Sequence, residues 1–212
     1  MAHAVAVARR EVALEAAGRD GFAVVAPLVL AAMVLAGVGF GSRPEVLRTV
    51  APGLVWLVVL FTAAPLSRGV VAAEEDEGCW DLLRSVVAPG TLFAGKLAAM
   101  WLWLLSTWAL AALLATVLLE ASLPVAGMAA GALGSFGLAG VTVVFGTVLA
   151  GAQRRAALLP VLVLPAGLPA LLAGTQAATP DVEALPWLAL LVAYDLVTLA
   201  VAWAVYPTLL EE

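Results

Sequence analysis

Six long apolar stretches, almost free of charge, decide what this chain can fold into. They run over residues 21–41, 50–66, 92–119, 123–152, 156–179 and 185–210. The third carries Lys96 near its start and the last carries Asp195. A helix that crosses a bilayer needs about 20 mostly apolar residues, because only a helix satisfies its own backbone in hydrocarbon. The segments between the stretches leave no room for a soluble domain. Composition closes the alternatives: 64% of residues are hydrophobic and 12% charged, against roughly 45–50% and about 25% in soluble domains. A soluble fold would lack a polar skin, and a chain this apolar does not stay solvated as disorder. The expectation is an all-α integral membrane protein, a single transmembrane domain with six transmembrane helices.

Residues 4–18 read differently. Val5, Ala8 and Val12 share one helical face, with Arg9, Glu11 and Glu15 elsewhere on the wheel, and Gly18 offers a stop. This is the pattern of an amphipathic helix lying in the membrane interface. Charges interrupt the place where the apolar core of a cleavable signal peptide would begin. The long connection is residues 67–91. It holds Glu74, Glu75, Asp76 and Glu77, then Gly78, Cys79 and Trp80, then Leu82, Leu83, Val86 and Val87. Acids followed by an apolar stripe predict a short amphipathic helix with its negative end at the N-terminus.

Orientation follows from the basic residues. With the N-terminus inside, Arg9, Arg10, Arg19, Arg68, Arg84, Lys96, Arg154 and Arg155 lie on the inner side, and only Arg43 and Arg48 lie outside. Lysine and arginine accumulate in cytoplasmic loops, so both termini are expected to be cytoplasmic.

The sequence offers few parts for catalysis or metal binding. Its one histidine, His3, sits in the N-terminal tail, and its one cysteine, Cys79, excludes an internal disulfide or a cysteine-rich metal site. No HExxH or GxSxG motif occurs. Met33, Met100 and Met128 fall in spans, where methionine usually packs. The run Gly90 to Leu97 matches GxxxxGK but has leucine where a P-loop needs a hydroxyl for magnesium. It opens an apolar helix, so Lys96 is expected to snorkel to the inner interface. No catalytic, cofactor or metal residue is therefore expected. The net charge of −5 gives no basic footprint for nucleic acid.

Four features stand out as candidates. Asp195 is a carboxylate deep in a span, where an ion is costly. Without a second intramembrane charge to exchange protons with, it reads as an acid that ties helices together, through Thr198 or a neighbouring helix. Pro160, Pro165 and Pro169 fall within ten residues and are expected to reshape the fifth span. Gly127, Gly131 and Ser135 form a small-residue face for close helix packing. Glu74, Glu75, Glu77, Gly78, Trp80, Leu83 and Val87 combine acids with an apolar ridge on the inner side, the form expected of a helix gripped by a soluble partner.

Read together, the residues resemble the CcmB family, membrane subunits of haem-exporter-type ABC transporters of cytochrome c maturation. The resemblance is carried by Arg10-Glu11 and Glu15, by Ala51-Pro52-Gly53 and Trp56, and by Arg68. It continues through Glu75, Glu77-Gly78, Asp81, Leu83, Pro89 and Gly95-Lys96, then Arg154-Arg155 and Leu159 to Pro165. Val70 and Trp80 depart from the family, which has an aromatic and a leucine there. The resemblance implies an ABC-2-like permease of the inner (cytoplasmic) membrane without ATPase activity of its own. It also implies a second copy of the chain, a CcmA-like ATPase, and CcmC-like and CcmD-like membrane proteins as partners. Haem is then the substrate handled by the complex, with no cofactor bound directly. The alternatives are an exporter subunit for another amphiphile, lipid or drug, and a passive scaffold for assembly factors.

Overall fold

The computed structural model describes residues 20–41, 43–76, 89–150 and 159–211. Six helices make up this part: α1 (Asp20–Gly39), α2 (Pro44–Asp76), α3 (Pro89–Leu118), α4 (Val125–Ala150), α5 (Leu159–Ala178) and α6 (Ala184–Glu211). Among the described residues there is no strand. Five helices are long and apolar enough to cross a membrane, over Pro44–Ala63, Gly90–Leu118, Val125–Val148, Pro160–Ala178 and Ala184–Val205. The remaining one, α1, has 20 residues, about 30 Å at 1.5 Å per residue, with its described apolar run at Val25–Gly39. The architecture is all-α and multi-pass. The expected interfacial helix at residues 4–18 lies outside the described residues.

Two boundaries differ from the sequence reading for a physical reason. The second helix starts at Pro44, six residues before the uncharged stretch, and takes Glu45 and Arg48 into its first turns. Proline suits the first turn, since its missing N–H has no helical partner there, and Glu45 complements the positive helix end. The same helix then runs through residues 67–76 to Asp76. Glu74, Glu75 and Asp76 therefore belong to this long helix rather than opening a new one. Helical backbone bonding does not stop where hydropathy falls.

The bundle is built around α4, which packs against α2, α3, α5 and α6. Helix α1 lies to one side against α2 and α3. Helix α6 is the most outward-facing, with only 17% of its apolar stretch buried within the chain. Six glycines occur in the 26 residues of α4. In water each would cost about 1 kcal/mol relative to alanine, but lipid offers no alternative to the helix. Packing then decides their use, because burial in lipid supplies little hydrophobic drive between helices.

Those glycines are mostly sockets. Gly131 receives the indole of Trp108 from α3, and Gly134 receives Trp56 from α2. Trp56 is also pressed against Gly174 of α5, so one tryptophan joins three helices and is 2% exposed. Gly167 of α5 makes room for Leu60 and Leu138. The expected close approach does occur at Gly127, where an added Cβ would lie 3.1 Å from the Cβ of Ala178. At Gly131 the small residue holds an aromatic ring rather than a neighbouring backbone. Ser135 is buried and donates its hydroxyl to Ala132 O at 3.1 Å.

Candidate functional site

Ionisable and hydroxyl side chains inside the bundle are the natural place to look for chemistry. Thr62, Thr107, Ser135 and Thr142 are all fully buried. Each hydroxyl donates to a carbonyl on its own helix: to Val59, Trp103, Ala132 and Leu138. Spent this way, they line no polar path between helices. A small cleft near Trp56 and Trp108, floored by Ala112 and Ala115, has a cavity volume of about 30 Å³. That is room for only a few water molecules. Among the described residues no group of three His, Cys, Asp or Glu could hold a metal ion.

Lys96 overturns its sequence reading. It stands in the first third of α3 and is 1% exposed, so the folded chain encloses it and it does not reach open solvent. Among the described residues, two charge-bearing side chains are therefore buried, Lys96 and Asp195. Snorkelling depends on whether neighbouring helices leave a way out, and the sequence of one helix does not contain that information.

Asp195 is 6% exposed and faces the seam between α6 and α4. Its carboxyl is seated where Gly137 has no side chain, beside the ring of Tyr194, which fills the same notch. It faces the backbone N–H of Gly137, a donor that the α4 helix already uses, and its Oδ1 has no hydrogen-bond partner. Thr198 does not serve the carboxyl as expected. Its hydroxyl donates to the main-chain oxygens of Tyr194 and Asp195, at 2.9 and 3.0 Å. Hydrogen bonds that do tie helices together come from Tyr194, whose hydroxyl donates to Ala166 O of α5 at 3.0 Å, and from Trp101 of α3, whose indole N–H donates to Ala132 O of α4 at 3.0 Å. Tyrosine next to an acid, facing a glycine-rich helix, was the signal available in the sequence.

The prolines divide. Pro165 and Pro169 lie inside α5, while Pro160 is its second described residue. Without N–H groups at 165 and 169, the carbonyls of Val161 and Pro165 lose their helical donors. The Ala166 carbonyl that accepts from Tyr194 lies between these two prolines.

Of the expected docking residues, Glu77, Gly78, Trp80, Leu83 and Val87 lie outside the described residues. Glu74 and Glu75 are in the last turn of α2. At the opposite end of that helix, Arg48 pairs with Glu120 at 2.8 Å, both more than half exposed. Such a pair contributes at most about 1 kcal/mol.

Comparison with known proteins places this bundle. The chain matches the family described as CcmB protein over residues 2–211. It is similar to a protein of Rhodobacter capsulatus named Heme exporter protein B, with 30% identity over 182 residues, covering 81% of this chain and 80% of that protein. A match over nearly the whole length, onto an all-helical multi-pass bundle, settles the family: the chain belongs to the CcmB family.

Proposed function

We propose that this chain is the permease subunit of an ABC transporter that handles haem for cytochrome c biogenesis in the cytoplasmic membrane. The observation that carries the reading is the family match over residues 2–211, supported by the relative named Heme exporter protein B. ATP hydrolysis belongs to a separate CcmA-like subunit, and a second copy of the chain with CcmC-like and CcmD-like proteins completes the assembly. The inner segment around Glu74, Glu75, Glu77, Gly78, Trp80, Leu83 and Val87 receives the ATPase and passes its motion to the helices. Haem is cargo of the complex in this reading and is not liganded by this chain, whose one histidine is His3.

Affinity purification of the tagged chain from its native membrane in mild detergent tests the assembly. An ABC ATPase is expected to co-elute with it. If no ATPase accompanies a folded, membrane-inserted chain, the passive scaffold is the better reading.

A further inference from the structure

The first turn of α3 meets the far end of α6 at an aromatic contact. Helix α3 opens with Pro89 and Gly90, and an added Cβ at Gly90 would lie 2.8 Å from Cη2 of Trp203 and 3.0 Å from its Cζ2. The indole of α6 therefore reaches across with its outer edge and rests on glycine, where a methyl group would displace it. One turn along α3, Phe93 stands edge-on to the same indole, with ring centroids 6.3 Å apart and planes at 80°, a favourable arrangement for two aromatic rings. Phe93 is 1% exposed and Trp203 60%, so the phenyl ring is packed inside the bundle and the indole covers it from outside. Further along, α4 comes between the two helices. A Cβ at Gly140 would lie 3.9 Å from Leu97 Cδ1 of α3 and 4.0 Å from Thr198 Oγ1 of α6. Helix α3 accordingly touches α6 far less than it touches α4, and Trp203 supplies a direct link at the end they share.

Position in the chain gives this link a direction. Glu77, Gly78, Trp80, Leu83 and Val87, the residues proposed to receive the ATPase, directly precede Pro89 in sequence, so displacement of that segment reaches Gly90 through covalent bonds. Helix α6 has no such route, because its connection to the rest of the chain, from Ala178 of α5 to Ala184, is at its opposite end. We infer that Trp203 is a positioning residue that clamps the end of α6 to the first turn of α3, so that movement imposed on α3 by the ATPase is delivered to α6. The contact keeps one geometry throughout, since tightly packed groups pass on displacement without rearranging. This deepens the permease reading, and rests on it, by naming where the driven helix hands its motion to the last one.

The test expresses tagged variants in cells that lack the chromosomal copy and reads three quantities: chain in the membrane, ATPase co-eluting with it, and haem-stained c-type cytochromes. Trp203→Ala is expected to leave the first two at wild-type levels and to lower the cytochromes several-fold. Gly90→Ala, whose methyl displaces the indole, is expected to do the same. Trp203→Phe alone keeps a ring beside Phe93 and is expected to cost little. Combined with Gly90→Ala it leaves room for the methyl, and the double variant is expected to recover most of the loss. Rescue of one change by the other reports the contact itself, which independent packing roles at the two positions would not give. Val201→Ala, on the exposed part of the same helix, is expected to match wild type. The clamp is overturned if Trp203→Ala leaves the cytochromes unchanged, or if chain or ATPase levels fall in parallel with them. It is overturned equally if the double variant is no better than Gly90→Ala alone. A wild-type chain that brings down no ATPase is a separate result, which removes the permease reading and the clamp with it.

Discussion

One tryptophan joins three helices of this bundle. Trp56 of α2 fills space left by Gly134 of α4 and Gly174 of α5, and it does so in a solvent where close packing, not hydrophobic burial, holds helices together. A Cβ at Gly174 would overlap the Trp56 indole, so Gly174→Ala should destabilise the protein by about 1–3 kcal/mol, the usual cost of overpacking. Gly53 is the contrast, because a Cβ there would lie 3.8 Å from the Thr175 methyl, an ordinary contact. Gly53→Ala should be close to neutral, since the added methyl meets only an ordinary contact and lipid offers the segment no alternative to the helix. Thermal unfolding of the purified protein in detergent compares the two, and equal losses would mean that the sockets are not tight. At Asp195 the conservative change to asparagine keeps size and polarity, so Asp195→Asn should retain most function. Complete loss at normal membrane levels would instead make the acid a proton carrier.

At the scale of elements, the apolar stretches were legible because lipid imposes one rule on every span. What that rule does not reach is where a helix ends or what a side chain meets. Glu45 and Arg48 were read as a connection, yet they form the first turns of α2, since a helix needs apolar residues only within the hydrocarbon. Lys96 is expected to snorkel because its own helix end allows it, but the folded chain encloses it. Tyr194 was missed because its partner, Ala166, is a backbone carbonyl 28 residues away. The inner segment is where element-level predictions are sharpest. Its apolar ridge should supply affinity for the ATPase subunit, so Trp80→Ala or Leu83→Ala should weaken binding by about 2 kcal/mol or more if each is central to the contact. Charge reversal at Glu75 and Glu77 together should weaken it in a salt-dependent way. Pull-down of the ATPase with each variant checks this, and wild-type binding by all of them would reduce the segment to a solvated connector.

For the whole molecule, orientation ties the elements to the cell. From the distribution of basic residues, both termini and Glu74 to Arg84 are expected on the cytoplasmic side, with Arg43, Arg48 and Asp181 outside. A membrane-impermeant thiol reagent should therefore label a cysteine at Arg43 but not one at Glu75 in intact cells; the reverse pattern would invert the topology and remove the ATPase's landing place. Within that frame α4 is the axis, α6 is the helix least covered by its own chain, and the Tyr194–Asp195 step joins them. In the proposed role, this bundle serves haem delivery to c-type cytochromes. The most direct measurement is the haem-stained c-type cytochrome content of cells in which the gene has been deleted and then restored. These cytochromes are expected to be lost on deletion and to return with the wild-type chain, whereas unchanged cytochromes in the deletion strain would contradict a role in haem delivery.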